Sequence, residues 1–265
     1  MNTKQYYFRT LFLILPTVLL CLQVHSQKAV FLHHSTGGNV YNEGKVNAWI
    51  ANYNQENNSH IELTERAFPN KPYEWKNYPF DYWNLWINGA CDAGEPGIEC
   101  MNALCRDHRM IIFKHCFPGA QVLEDTGNSD INSETKSLEN YKLQYRALRE
   151  IMDQYPDNIF VVWTLVPLHR LSTTPENAQR AKEFVQWVNG EWLSEDGKSH
   201  DNIRIFDFWK LTAEKKKKPG QGQVNCLRYE YERSHESGDS HPNTKANEAV
   251  GPVFAKFIVD ALTDK

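Results

Sequence analysis

The chain has 265 residues, of which 41% are hydrophobic and 23% are charged. This composition excludes collagen-like, low-complexity and wholly disordered proteins, and it leaves room for one large domain or two small ones. The 29 Lys and Arg residues and the 33 Asp and Glu residues give a formal net charge of −4. No global basic field therefore favours nucleic acid as a partner.

The N-terminus has the pattern of a secretory signal peptide. Lys4 and Arg9 precede an apolar run over residues 11–22, and Val24-His25-Ser26 follows as a cleavage site. The run is shorter than the roughly 20 residues that a transmembrane helix needs. We therefore expect residues 1–26 to be removed on export.

Residues 27–265 are then expected to form a single domain, periplasmic or secreted, without a stable membrane span. Cleavage would remove two positive charges and no negative one, so the formal net charge would become −6. Two alternatives remain: a lipoprotein signal that uses Cys21, and an uncleaved anchor.

The other cysteines are odd in number, so at least one has no partner within the chain. They are Cys91, Cys100, Cys105, Cys116 and Cys226. The first three lie in a Gly- and Asp-containing segment that a disulfide would close. Their spacings of nine and five do not match the paired C-x-x-C pattern of zinc sites, so we expect no metal.

Five short apolar runs predict β-strands, and the first ends in a tight turn at Ser-Thr-Gly-Gly. The predicted strands are residues 28–34, 60–65, 110–114, 158–166 and 202–208. Helical spacing of apolar residues predicts three helices. They cover residues 133–155, 175–193 and 244–262. The first begins at Ser133 and Glu134, and the second has Pro175 at its first helical position.

Alternating strands and helices indicate an α/β fold: a three-layer α/β/α, flavodoxin-like domain with a mainly parallel sheet. The length beyond a simple domain of this kind is predicted to lie in an aromatic-rich insertion at about residues 66–108. Its segment from Phe68 to Trp86 is too irregular to predict a helix or strand. The aromatic rings either contact a sugar ring or acyl group, or form a satellite core.

Ligands of parallel sheets bind at the carboxyl ends of the strands, and three polar groups occur there. They are His33 to Gly38, Lys114 to Cys116, and Gly238 to Asn243. A serine at a strand-to-turn junction beside glycines exposes its hydroxyl to a substrate, but it needs a base. Ser35 is the candidate nucleophile, His241 the candidate base, and Asp239 the candidate group that orients the imidazole.

These blocks carry a family resemblance. With His-His-Ser-Thr-Gly at residues 33–37 and His-Pro-Asn at residues 241–243, ahead of an apolar helix, the chain resembles SGNH (GDSL-type) hydrolases. It is also similar to an exported bacterial branch of that superfamily. The resemblance implies a serine esterase that forms an acyl-enzyme on Ser35, with His241 as base and no cofactor.

The chain departs from the family pattern at the acid. The family Asp stands three residues before the histidine, where this chain has Gly238, and the nearest acid is Asp239. Three possibilities stay open: Asp239 orients His241, Glu236 does, or a backbone carbonyl does and the enzyme works as a dyad.

A second departure affects the oxyanion hole. The Gly-x-Asn-Asp block of the family is absent, and Lys-His-Cys-Phe-Pro-Gly stands at residues 114–119. Lys114 or His115 is a candidate donor, together with backbone N–H groups of Ser35 and of Gly37 or Gly38.

The expected activity is deacylation of an ester, most plausibly an O-acyl group on a carbohydrate, so the partner is a small-molecule or glycan ester. Alternatives are a catalytically impaired glycan-binding module and an acyltransferase. A thiol nucleophile at Cys116 and a metal bound by His33, His34, His115 and His241 are further alternatives.

Overall fold

A computed structural model describes residues 26–216 and 222–264. The predicted signal peptide lies outside the described residues, apart from Ser26. No helix in these two ranges is long and apolar enough to cross a membrane.

The centre of the fold is a five-stranded sheet in the order β2-β1-β3-β4-β5, with every neighbouring pair parallel. The strands are β1 (Gln27–His33), β2 (Ile61–Ala67), β3 (Met110–Phe113), β4 (Ile159–Trp163) and β5 (Ile203–Phe206). β3 is buried along its whole length, because helices cover both faces of the sheet. The predicted α/β fold with a parallel sheet is confirmed.

Eight helices form the outer layers of the described chain. They are α1 (Thr36–Glu43), α2 (Val46–Asn57), α3 (Pro79–Trp86), α4 (Met101–Asp107), α5 (Leu138–Met152), α6 (Pro175–Gly190), α7 (Phe208–Thr212) and α8 (Thr244–Thr263). α1 and α2 pack with α8 on one face, and α3, α5 and α6 pack together on the other. Two apolar cores, one on each side of the sheet, hold the three layers together.

The helix predicted over residues 133–155 is shorter than expected. It begins at Leu138, because Ser137 caps it by accepting a hydrogen bond from Asn140 N at 3.3 Å. Residues before the cap are held away from helical geometry by a bridge in which Leu123 N donates to Lys136 O at 2.8 Å.

The expected tight turn at Ser-Thr-Gly-Gly is instead the start of α1, and α2 follows it without having been predicted. The aromatic segment also contains an unpredicted helix, α3. Its start is fixed by Pro79 in the first turn and by the Asp81 carboxylate, which accepts from Tyr78 N at 3.1 Å and Lys76 N at 3.0 Å.

Several rings of the aromatic segment belong to the main core on one face of the sheet and not to a separate satellite core, since Phe68, Tyr78, Tyr82 and Trp86 pack in the same cluster as strand residues. Tyr78, Tyr82, Trp83 and Trp86 are buried, whereas Trp75 is 38% exposed. The insertion is also closed by a Cys91–Cys100 disulfide, and Cys105 is free. Two cysteines of the cluster are thus joined by a disulfide, as the sequence analysis predicted.

Two glycines allow α1 to end against α8. A Cβ on Gly251 would lie 2.2 Å from Gly44 O, and a Cβ on Gly44 would lie 2.6 Å from Asn247 O of α8. Alanine at residue 251 would therefore force two backbones apart.

We expect Gly251→Ala to lower the free energy of unfolding by about 1–3 kcal/mol, since the overpacking exceeds the gain in helix propensity. Urea denaturation measures this change. Gly190→Ala is the matched control, because among the described residues no atom outside its chain neighbours and its own helix backbone lies within 4 Å of its Cβ position, and it should be neutral or slightly stabilising. Equal stability of the two variants would contradict the close contact.

Candidate active site

Ser35 stands between β1 and α1 in a strained conformation. Its φ is 25° and its ψ is −83°, its side chain does not cap α1, and the residue is exposed. A positive φ is unfavourable for a residue with a Cβ, and such strain is concentrated at functional sites. The turn presents the Ser35 hydroxyl at the carboxyl edge of the sheet.

Close packing beneath Ser35 requires glycine at residue 37. A Cβ on Gly37 would lie 2.4 Å from His33 Cβ and 3.0 Å from Lys114 Cδ. The first N–H groups of a helix have no acceptor within it. Gly37 N donates to His34 O at 2.9 Å. Of the two glycine N–H groups predicted as oxyanion donors, Gly38 N–H is therefore the one without a backbone hydrogen bond in the described chain.

A thiol lies within hydrogen-bond distance of the Ser35 hydroxyl. Ser35 Oγ lies 3.3 Å from Cys116 Sγ, and Lys114 Nζ lies 3.5 Å from the same sulfur. The Cys116 backbone is held by Asn77, because Cys116 N donates to Asn77 O at 3.2 Å and also to Asn77 Oδ1. Asn77 is fully buried with a φ of 57°, a contact that sequence reasoning did not anticipate.

Asp239 and His241 form a hydrogen-bonded pair. Asp239 Oδ1 lies 2.5 Å from His241 Nδ1 and accepts from His241 N at 3.0 Å. Burial favours the protonated carboxyl, but the two hydrogen bonds from His241 outweigh it and lower the pKa of Asp239. The carboxylate is therefore charged at neutral pH and orients the imidazole.

His241 lies next to the strand end that carries Cys116. Its ring meets the Phe117 ring edge to face, with centroids 4.7 Å apart. Among the described residues, no hydrogen bond joins Ser35 Oγ to His241 Nε2. Hydrogen bonds between a catalytic base and its nucleophile are often long in an enzyme without substrate.

The loop before His241 rests on a buried carboxylate, that of Glu232, whose side chain is 0% exposed. His169 Nε2 and His235 Nδ1 lie 3.0 Å and 2.9 Å from Glu232 Oε2. Arg170 Nε lies 3.2 Å from Glu232 Oε1, close enough for an ion pair but without hydrogen-bond alignment. His169 N also donates to Ser240 Oγ at 2.9 Å, so this network fixes the residue beside His241.

Three of the other predicted histidines have partners of their own. His33 Nε2 lies 2.6 Å from Glu65, His34 Nε2 lies 2.8 Å from Pro69 O, and His115 Nε2 lies 2.9 Å from the Tyr145 hydroxyl.

With His241 bound to Asp239, these rings do not converge as metal ligands in the described chain. The one group there with suitable spacing is Cys91, Asp92 and Cys100, whose two cysteines form the disulfide. His115, predicted as an oxyanion donor, has its Nε2 engaged with Tyr145.

No family model and no curated protein matches this chain. Among solved structures, an acetyl xylan esterase aligns over 86% of this chain and 98% of its own, at 11% identity and a TM-score of 0.48. A protein from Streptococcus pneumonia, named for platelet activating factor, aligns over 90% of this chain and 86% of its own, at 9% identity and a TM-score of 0.47. A gut microbial diltiazem-metabolizing enzyme aligns over 89% of this chain and 46% of its own, at 13% identity and a TM-score of 0.44. These values are too low to transfer an activity.

The burial of His115 predicts a pH dependence of stability. Burial, with a contribution from Lys114, lowers the pKa of His115 to about 3. Between its ordinary pKa of about 6.5 and pH 3, the unfolded chain binds a proton that the folded chain does not, so stability falls as the pH is lowered.

Between pH 7 and pH 5 we expect this one group to account for about 1–2 kcal/mol of lost stability. His115→Gln should remove that part of the loss in urea denaturation at the two pH values, whereas His60→Gln, at an exposed residue, should keep it. A loss in His115→Gln equal to that of the original protein would show that His115 is protonated in the fold.

Proposed function

We propose that this chain is a serine hydrolase that cleaves esters and resembles SGNH hydrolases. The observation that carries the proposal is the 2.5 Å contact between Asp239 and His241. The His241 ring packs on Phe117, which follows Cys116, and the Cys116 sulfur lies 3.3 Å from Ser35 Oγ. Nucleophile, base and orienting acid are thereby supplied by loops at one edge of the sheet, as acyl transfer requires.

In this mechanism, Ser35 Oγ attacks the acyl carbonyl carbon while His241 Nε2 accepts the hydroxyl proton. The C=O electron pair moves to oxygen and returns as the alcohol leaves with the proton from His241. Water then attacks the acyl-Ser35 ester, its proton passes to His241 and then to Ser35 Oγ, and the free acid is released. Asp239 stabilises the imidazolium in both halves of the reaction.

A carbohydrate ester is the proposed substrate. The exposed Trp75 ring stacks on His34, with centroids 3.6 Å apart and planes 18° apart, and His34 is the residue before Ser35. A cavity of about 280 Å³ is lined by residues that precede and follow Trp75 in the sequence, including Tyr73 and Phe80. Aromatic faces beside the nucleophile provide stacking surfaces for a sugar ring.

We further propose that the protein is exported. The Cys91–Cys100 disulfide supports this, because such bonds form and persist in oxidising compartments such as the periplasm and the cell exterior. The N-terminal pattern of residues 1–26 supports it independently.

We expect a fluorophosphonate to label the protein at Ser35, and Ser35→Ala to abolish both labelling and ester hydrolysis. Asp239→Asn should lower kcat by at least about 100-fold, because the imidazole loses its orienting charge. Steady-state hydrolysis of an aryl acetate and mass spectrometry of the labelled peptide measure both effects. Ser129→Ala, at an exposed serine, is the control and should be labelled like the original protein.

No labelling of the folded protein, together with binding of a saccharide, would favour the impaired glycan-binding module. Hydrolysis that survives Ser35→Ala would contradict the serine mechanism directly.

Trp75→Ala should raise KM for an acetylated oligosaccharide about 10-fold or more, with little change in KM for an aryl acetate that does not reach the ring. Trp49→Ala is the control, since Trp49 stacks on Tyr53 in α2. Equal effects of Trp75→Ala on the two substrates would argue against a sugar contact.

A further inference from the structure

A buried lysine and a buried thiol form a line that ends at the Ser35 hydroxyl. Lys114 Nζ lies 3.5 Å from Cys116 Sγ, and that sulfur lies 3.3 Å from Ser35 Oγ. Lys114 is 0% exposed and Cys116 is 4% exposed. The catalytic chemistry described above assigns no role to either side chain.

Lys114 has no acidic partner. Among the described residues, no carboxylate oxygen lies within 4 Å of its Nζ, and its side-chain hydrogen bond goes to Cys116. Burial of an ammonium group without a counter-charge is costly. A lysine in this position gains a favourable interaction when negative charge develops nearby.

The other basic groups around Lys114 are neutral. Burial, together with Lys114 itself, lowers the pKa of both His33 and His115 to about 3. Burial also lowers the pKa of Lys114, an effect that Cys116 opposes. The short contact between His33 and Glu65 is thus a hydrogen bond from a neutral ring, and Lys114 is the basic side chain that contacts Cys116.

We propose that the Cys116 thiol donates a hydrogen bond to the substrate oxyanion, and that Lys114 polarises this thiol by donating a hydrogen bond to its sulfur. This inference rests on the proposed ester hydrolysis at Ser35. Cys116 is a catalytic residue in this scheme, and Lys114 is a positioning residue that acts through it.

The reaction geometry is consistent with this role. The acyl carbon bonds to Ser35 Oγ, so the acyl oxygen comes to lie two bonds from Oγ, within reach of a group 3.3 Å from Oγ. As the tetrahedral intermediate forms, the thiol donates a hydrogen bond to the oxyanion. The thiol proton stays on sulfur and the lysine protons stay on nitrogen, while Gly38 N–H supplies a second donor.

The thiol and the lysine stand where the family that the chain resembles has a side-chain amide donor. The family's Gly-x-Asn-Asp block supplies a side-chain donor, and Lys-His-Cys-Phe stands at residues 114–117 here. A thiol is a weaker donor than an amide, which explains why a buried cation behind it is useful. Loss of one oxyanion donor lowers kcat by about 100- to 1,000-fold in enzymes with strong donors, so we expect about 10- to 100-fold for Cys116.

The test compares Cys116→Ala, Cys116→Ser and Lys114→Met with Cys226→Ala, which removes another buried free thiol. Four quantities are measured for each folded variant: kcat and KM for an aryl acetate, affinity for an arylboronic acid that forms a tetrahedral adduct on serine, and rate of fluorophosphonate labelling.

Cys116→Ala is expected to lower kcat and boronic acid affinity by the same 10- to 100-fold factor, with KM within about 3-fold. Cys116→Ser should retain most activity because its hydroxyl is also a donor. Lys114→Met should act in the same direction, and the double variant should lose less than the product of the two single losses because the residues act as a unit. Cys226→Ala should be unaffected.

The inference is overturned if Cys116→Ala has the kcat of Cys226→Ala, or if Cys116→Ser is as impaired as Cys116→Ala while boronic acid affinity is unchanged. Because Cys116→Ser is nearly isosteric, it remains informative if Cys116→Ala does not fold: full activity supports the donor role, and loss of activity contradicts it. Labelling that persists in Ser35→Ala would instead overturn the serine mechanism. Labelling lost in Ser35→Ala, with Cys116→Ala behaving like Cys226→Ala, would overturn the thiol donor alone.

Discussion

The parallel pairing of β1 with β3 is the constraint on which the candidate site depends. Leu32 lies opposite Phe113 in this register, and each strand ends within one residue of that pair. Ser35 and Cys116 each follow their paired residue by three positions, so the same register brings their side chains together. A slip of one residue would invert the face of every side chain in the strand. The apolar cores on both sides of the sheet therefore stabilise the site geometry as well as the fold.

The same register explains the need for glycine at residue 37 and the strain at Ser35. Since β1 and β3 end side by side, the first turn of α1 must pass over both the His33 and Lys114 side chains. The space left for residue 37 does not admit a Cβ, and Ser35 has to take a positive φ to turn the chain into the helix. The strained turn at Ser35 thus coincides with close packing of α1 on the His33 and Lys114 side chains.

Local patterns in the sequence predicted the strands and the long amphipathic helices, because alternation, apolar runs and caps are short-range signals. α1 and α2 were missed because their sequences are rich in Gly and Asn, and they are held by packing on α8. α3 was missed because six of its eight residues are buried, which leaves no regular alternation of polar and apolar residues. At the site, motifs pointed to Ser35, Asp239 and His241. The contacts of Cys116 with Asn77 and of His169 with Glu232 join residues far apart in sequence, so no local pattern could predict them.

The two buried ionisable groups of the described site region differ in their partners, and the roles proposed for them follow from this difference. Nitrogen atoms of His169, Arg170 and His235 lie 2.9–3.2 Å from the Glu232 carboxylate, and these contacts hold the loop of His241. Among the described residues, no carboxylate oxygen lies within 4 Å of Lys114 Nζ, and its hydrogen bond goes to the Cys116 thiol. A buried ionisable group with partners stabilises a structure that already exists, whereas a buried lysine without a carboxylate gains a favourable interaction when an anion forms beside it. In the proposed reaction the oxyanion forms beside Ser35 Oγ, which lies 3.3 Å from the sulfur that Lys114 contacts.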